Sequence, residues 1–203
     1  NPVTRKDLDT IYFGAFGKLH GYAKTTQAIT EIYPNEDRFE LSPSLSPDGK
    51  YLAYTTWNDI EMGHLFVRDL ERGKEYQLTK TPGRYINPAW SPDGTEIVFV
   101  SDETEARMGI PRQSGGVNTE KYHMDSHRIT VFNNTIIQEQ SKSRGIFRIY
   151  PFTNIPKRFY PIPVYRPNGE SIMVTTRNLK KDLPILIELN LKTYEITHEK
   201  LIP

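Results

Sequence analysis

The chain lacks cysteine and has no surplus of charge of either sign. With no cysteine among the 203 residues, disulfide bonds, thiolate nucleophiles and cysteine-ligated metal sites are excluded. The 26 Lys and Arg nearly balance the 25 Asp and Glu, so the formal net charge is +1. Proteins that bind polyanions usually carry a basic excess, and nucleic-acid binding is therefore not expected.

Several familiar functional segments are also missing from the sequence. No apolar run approaches the roughly 18 residues of a membrane span. The chain starts at residues 1–3 with neither an initiator Met nor a signal peptide, which indicates processing or a fragment. There is no Gly-x-Ser-x-Gly elbow, dinucleotide-binding glycine motif or Walker loop. The sequence thus predicts no catalytic residue and no cofactor, and whether the protein is an enzyme stays open.

Aromatic residues, proline and glycine are plentiful. Aromatic side chains make up 11% of the chain, and 15 Pro and 13 Gly are spread along it. Rings pack well on the pleated surface of a sheet, while Pro and Gly favour turns. This composition indicates short strands joined by frequent turns around a packed core.

An internal repeat is the strongest feature of the sequence. Ser-Pro-Asp-Gly at residues 46–49 precedes an alternating apolar strand at 50–56, and the same motif at 91–94 precedes a second such strand at 95–101. The offset from Ser46 to Ser91 is 45 residues, a typical length for one propeller blade. A weaker third copy occupies residues 163–176.

The repeated motif has the chemistry of a tight hairpin turn. Pro presets φ for the first central position of the turn, Asp suits the second, and Gly accepts the left-handed conformation. We interpret the Asp as a turn residue and not as a catalytic carboxylate. In the strands that follow, Leu52 and Tyr54, and likewise Ile97 and Phe99, are expected to share one face.

These patterns predict an all-β protein: a β-propeller of four-stranded antiparallel blades that is incomplete, with about four blades. The whole chain, 1–203, is expected to form a single domain. Its blades are placed at roughly 1–30 (partial), 31–79, 80–155 (irregular) and 156–203. An open propeller would leave unpaired strand edges, so self-association is expected.

The Ser-Pro-Asp-Gly motif and its alternating strand resemble the TolB-type propeller repeat, closely over residues 31–101 and loosely over 156–197. Related repeats occur in prolyl-oligopeptidase-like peptidases and in bacterial amidohydrolases with an N-terminal propeller. Residues 36–40, 54–59, 63–65 and 81–88 are similar to the propeller portion of the amidohydrolases. That resemblance implies a periplasmic or secreted bacterial protein whose metal-binding barrel would lie beyond residue 203, and this sequence contains none of the barrel.

One end of the predicted propeller gathers a candidate binding site. Trp57, Asp59 and His64 fall in the loop between the second and third strands of a blade, and Arg84 and Tyr85 fall in the next connection between blades. Loops on one face of a repeat array are the usual place for binding residues. The alternative is structural: Trp57 packs between blades, while Asp59 and His64 hold their own loop by hydrogen bonds.

Residues 123–127 contain two histidines four positions apart with an Asp between them. On a helix such a pair could ligate a divalent metal, but the surroundings lack helical periodicity and the Glu of zinc peptidases is absent. A solvated loop is the favoured interpretation, and no metal site is predicted.

The sequence therefore favours a non-catalytic propeller module that binds a protein or another ligand. The partner would be a separate protein or the remainder of a larger chain. The main alternative is the propeller portion of a larger extracytoplasmic hydrolase, either a metal-dependent amidohydrolase or a prolyl-oligopeptidase-like peptidase, which would control access to an active site outside this chain. A self-contained carbohydrate-binding propeller is the third possibility.

Overall fold

The protein is described by a computed structural model that covers residues 2–32, 38–80, 82–101, 128–133, 147–150, 162–178, 183–193 and 196–202. All regular structure in these ranges is β-strand, arranged in four antiparallel sheets. The first sheet contains β1 (Thr10–Ala15), β2 (Lys18–Ala23) and β3 (Ile29–Glu31). The second contains β4 (Phe39–Leu45), β5 (Tyr51–Trp57), β6 (Leu65–Asp69) and β7 (Glu75–Gln77).

The remaining two sheets have four strands each. The third contains β8 (Tyr85–Trp90), β9 (Glu96–Ser101), β10 (Arg128–Asn133) and β11 (Phe147–Tyr150). The fourth contains β12 (Ile162–Tyr165), β13 (Ser171–Asn178), β14 (Leu183–Asn190) and β15 (Ile196–Leu201). Within every sheet the strands follow one another in chain order. Repeated four-stranded meanders of this kind are the blades of a β-propeller, as the sequence predicted.

The repeated turns adopt the predicted geometry. Gly49, Gly94 and Gly169 all have positive φ, at 76°, 72° and 71°. Each glycine N–H donates to the carbonyl three residues earlier, at Ser46, Ser91 and Arg166, over 2.9 Å. The third, eroded copy of the motif therefore folds like the two intact copies.

Three apolar clusters fill the spaces between successive sheets. Leu52 and Tyr54 pack with Leu19 of the first sheet, whereas Ile97 and Phe99 pack with Ala53 of the second sheet. The shared faces predicted for these two pairs are thus confirmed. A further cluster joins the third and fourth sheets through Val98, Val100, Ile172, Val174 and Ile187. Because an inner sheet is covered on both faces, consecutive residues such as 97–100 are all buried.

The first strand of each blade lies innermost. β4 packs against β8, and β8 packs against β12. The Nε1 of Trp90 donates to the Ser44 carbonyl over 3.0 Å and ties the inner strands of two blades together. In the first sheet the inner position is taken by Val3, which bridges to Tyr12 of β1.

The antiparallel order gives the propeller two distinct ends. The turns at 46–49, 91–94 and 166–169 share one end, which we call the turn face. A Cβ on Gly94 would lie 3.6 Å from Pro47, and one on Gly169 would lie 3.8 Å from Pro92, so these turns stand side by side. The hairpin at 16–17, the loop at 58–64 and the connection at 78–84 share the opposite end, which we call the loop face.

Candidate functional site

The candidate residues lie on the loop face because of where the strands end. β5 ends at Trp57, and the next six residues form the loop that leads to His64 and β6. β8 begins at Tyr85, directly after Arg84. Since β5 ends and β8 begins at the same end of the propeller, five residues from two separate segments converge there.

Trp57, Asp59 and Arg84 form one contact set near the surface. The Trp57 Nε1 donates to the Oδ1 of Asp59 over 2.7 Å. The Arg84 guanidinium carbon lies 5.9 Å from the centroid of the Trp57 ring, as in a cation–π contact. Asp59 is exposed, while Trp57 and Arg84 are partly buried. The cluster presents a ring, a carboxylate and a guanidinium together.

Asn58 fixes the shape of this loop. Its Oδ1 accepts hydrogen bonds from the backbone N–H groups of Ile60 at 2.8 Å and Glu61 at 3.2 Å. Its backbone exchanges two hydrogen bonds with Met62, of 3.0 and 2.7 Å. This closed loop holds Asp59 in reach of Trp57 without any contribution from another blade.

His64 and Tyr85 occupy the interior beneath that cluster. Their rings stack with centroids 6.4 Å apart, and Tyr85 is only 2% exposed. The Nδ1 of His64 lies 3.0 Å from the Thr79 hydroxyl. Burial holds the pKa of His64 below its usual range, so the ring is neutral near pH 7. Both residues support the loop face from inside the second and third sheets.

Two glycines join these sheets at the loop face. Gly63 and Gly83 exchange backbone hydrogen bonds of 3.0 and 2.9 Å. A Cβ on Gly63 would lie 2.1 Å from the Thr56 carbonyl oxygen, so only glycine fits. This close approach sets the distance between the Trp57 loop and the Arg84 connection.

Exposed apolar side chains flank the cluster, and the sequence analysis did not single them out. Phe16 is fully exposed, Ile60 is 90% exposed and Phe39 is 53% exposed. A signal was available for one of them: Phe16-Gly17 separates two short alternating segments, which is typical of a two-residue hairpin.

The geometry offers contacts and not covalent chemistry. No group of three or more His, Asp or Glu side chains within the described ranges could hold a metal ion. The histidines at 123 and 127 lie outside those ranges. The described part of the chain also has no helix long and apolar enough to cross a membrane.

A separate cavity of about 550 Å³ opens on the turn face, at the inner ends of the blades. Its lining includes Leu45, Pro47, Trp90, Pro92 and Tyr165. Arg5, which also lines it, forms a 2.7 Å ion pair with Asp7 and donates to the Pro47 carbonyl. The cavity is therefore mainly apolar, and the charge of Arg5 is already neutralised.

Fold and site together define an incomplete β-propeller of the TolB-like type whose loop face carries a polar and aromatic contact cluster. No family model matches the chain. Two curated relatives match short segments. The Tol-Pal system protein TolB of Francisella tularensis is 34% identical over 68 residues, which are 31% of this chain and 15% of that protein. The uncharacterized peptidase YuxL of Bacillus subtilis is 32% identical over 62 residues, which are 30% of this chain and 9% of that protein.

Solved structures match nearly the whole chain. TolB from Acinetobacter baumannii superposes with a TM-score of 0.66 at 17% identity and covers 97% of this chain and 42% of its own. Oligogalacturonate lyase from Vibrio parahaemolyticus gives 0.64 at 12% identity and covers 100% and 53%. The chain thus spans about half the length of these structures or less. At such identities the likeness shows the propeller fold, which proteins of different function share.

Proposed function

We propose that the chain is a non-catalytic binding module that contacts a protein or another ligand through the loop face of its propeller. The observation that carries this proposal is the cluster of Trp57, Asp59 and Arg84, held by the Asn58 loop. Trp and Arg are enriched among the residues that dominate protein interfaces. Its ring, its acceptor and its donor are presented together on a rigid support, which suits recognition and does not form a reactive centre.

Each of the five predicted site residues has a place in this proposal. Trp57, Asp59 and Arg84 would contact the partner. His64 and Tyr85 would hold the loop face in position from the interior. A bacterial periplasmic or secreted location is proposed on the same grounds as the sequence resemblance, and the bacterial TolB structures and relatives support it.

Partner capture followed by an affinity measurement tests this proposal. The immobilised chain is exposed to a periplasmic extract of the source bacterium, the retained protein is purified, and its affinity is measured by biolayer interferometry. We expect Trp57→Ala and Arg84→Ala to weaken binding about tenfold or more, while Arg72→Ala on the turn face leaves it unchanged. If the two loop-face variants lower only the melting temperature and never the affinity, the binding site is not there.

A second candidate is the propeller portion of a larger hydrolase, and the match to a peptidase from Bacillus subtilis favours it. In that case the propeller would control access to an active site elsewhere in the protein. The intact mass of the native gene product decides whether this candidate is pursued. A mass well above 23.5 kDa calls for peptidase and metal-dependent hydrolase assays of the full product, whereas a mass equal to it removes this candidate.

A further inference from the structure

The tip of the first hairpin carries a residue that its backbone does not favour. Phe16 and Gly17 form the two-residue turn between β1 and β2, with φ values of 52° and 75°. Two positive φ values in such a turn define type I′, in which Asn-Gly and Asp-Gly are preferred. A bulky residue at positive φ is strained, and the Phe16 ring, fully exposed, gains no burial in return. The hairpin alone does not explain this side chain.

Ile60 stands at the tip of the second projection in a similar way. It is 90% exposed, and the bonds from Asn58 to the backbone of residues 60 and 61 hold its loop closed. An apolar side chain in this position contributes nothing to the core. Both projections therefore present a large apolar group on a fixed backbone.

Contacts across the first two sheets join these projections into one surface. A Cβ on Gly17 would lie 2.2 Å from the ring of Phe39, so that ring lies over the Phe16 hairpin. Phe39 is the cross-strand partner of Trp57, and Trp57 begins the loop that carries Ile60. We call Phe16, Phe39, Trp57 and Ile60 the loop-face patch.

The shape of the patch restricts what can cover it. Phe16 and Ile60 protrude and line no groove, so the occupant must supply the pockets that receive them. An extended peptide or a single helix has no such pockets, whereas a folded protein surface does. Charge argues against a lipid surface: Asp59 and Glu61 adjoin Ile60, and the cations Lys80 and Arg84 only balance them, while membrane-surface sites are rich in Lys and Arg.

We infer that the loop-face patch docks against a folded protein whose surface has apolar pockets for Phe16 and Ile60, within a rim of mixed charge. This inference rests on the proposed binding function and deepens it. It moves the main anchors from the Trp57–Arg84 pair to the two projecting apolar side chains.

The test uses substitutions that leave the backbone at least as favourable. Phe16→Asn creates the sequence preferred in a type I′ turn, and Ile60→Ser shortens an exposed side chain. Ile29→Ser and Ile196→Ser are matched controls, since these residues are 61% and 51% exposed and lie toward the turn face. The probe is the purified protein retained from the periplasmic extract, and its affinity for each full-length variant is measured beside the melting temperature.

We expect Phe16→Asn and Ile60→Ser each to weaken binding about tenfold or more, with an unchanged or higher melting temperature for Phe16→Asn. Both controls should bind like the wild type. If the controls lose affinity and the patch variants keep it, the inference is overturned while the proposed function stands. If the wild type retains no protein, both fail.

Two other measurements identify a different occupant. Vesicles of phosphatidylcholine and phosphatidylglycerol that bind the wild type but not Phe16→Asn would assign the patch to a lipid surface. Dimers of the purified chain in sedimentation that are lost in Phe16→Asn would assign it to a second copy. Either result overturns the inference.

Discussion

Glu40 lies fully buried between the first and second sheets. The Arg38 guanidinium lies 3.4 Å from its Oε1, 2.5 Å from the Oε1 of Glu75 and 3.3 Å from the Tyr54 hydroxyl. The same guanidinium is 4.5 Å from the centroid of the Phe66 ring. Burial raises the pKa of Glu40, and the charge of Arg38 only partly offsets this effect. The carboxyl group is therefore a costly charge at a junction between blades.

This residue predicts a pH dependence of stability. A carboxyl pKa that is higher in the folded state contributes stability below its unfolded pKa, and the contribution is lost as pH rises through the folded pKa. Glu40→Gln removes that loss, so the melting temperature of this variant relative to wild type should rise between about pH 4.5 and 8. A gain of about 2–4 °C corresponds to 1 kcal/mol in a domain of this size.

Differential scanning fluorimetry across that pH range checks the expectation, with the exposed Glu71→Gln as the control variant. A constant difference between Glu40→Gln and wild type at every pH would show that the buried carboxyl group does not titrate as described.

The repeated turn is the element that determines the spacing of the blades. In the third sheet the Ser91 hydroxyl donates to the Oδ1 of Asp93 over 2.6 Å and accepts from the Glu96 N–H over 2.9 Å. The Oδ1 of Asp93 also accepts from the Thr95 N–H over 3.0 Å. The hydrogen bond from Ser91 is the main reason why the pKa of Asp93 is lowered. The turn is thus closed by side chains as well as by its backbone.

Two substitutions at Asp93 separate the hydrogen bonds from the charge. Asp93→Ala removes both acceptor contacts and should lower the free energy of unfolding by about 1–2 kcal/mol. Asp93→Asn should cost less, because Asn168 has the same role in the fourth sheet, where it accepts from the Glu170 N–H over 3.1 Å. Urea unfolding at pH 7 measures both values.

The acid side gives a second check on this turn. A carboxyl pKa that is lower in the folded state contributes stability above the unfolded pKa and loses it as pH falls through the folded pKa. The stability advantage of the wild type over the Asp93→Asn variant should therefore shrink below about pH 4. Equal losses of stability for Asp93→Ala and Asp93→Asn at neutral pH would contradict the role of the Oδ1 contacts.

At the scale of the whole molecule, the fourth sheet has a face that no other described sheet covers. Ile162 and Val164 of β12 are 45% and 54% exposed, although the alternate residues Pro163 and Tyr165 are buried against the third sheet. An incomplete propeller leaves such a face at its end, and exposed apolar sheet surface promotes association.

We predict that the isolated chain self-associates through this terminal face. Sedimentation velocity over a range of concentrations should show a shift toward larger species, which Ile162→Lys and Val164→Lys reduce. Phe16→Asn on the loop face should leave the association unchanged. A clean monomer at high concentration would show that the terminal face does not drive association.

Much of the strand order was predictable, because a turn motif and an alternating strand are local features. The hairpins at 64–79 and 185–197 were identified from their own residues, as were strands near 128–133 and 147–150. In the first sheet only the closing strand near Ile29 was identified. β1 and β2 carry no Ser-Pro-Asp-Gly turn, and their short hairpin at Phe16-Gly17 lacks the usual Asn or Asp.

The candidate site was predictable as a location but not in its internal arrangement. Counting strands places Trp57, Asp59 and Arg84 at one end of the propeller, and they are in contact there. The sequence could not distinguish exposed Asp59 from buried Tyr85, because the burial of Tyr85 depends on a neighbouring sheet that packs over it.

The sequence by itself determined the repeat, the turns and the alternation of apolar residues, since each depends on the conformational preferences of a few adjacent residues. Only the tertiary structure decided which side chains face solvent. The Gly63–Gly83 approach fixes the gap between two sheets, His64 and Tyr85 fill it, and Phe16 and Ile60 stay outside. Exposure is a property of the packed sheets, which bring together residues far apart in the chain, and no local pattern contains that information.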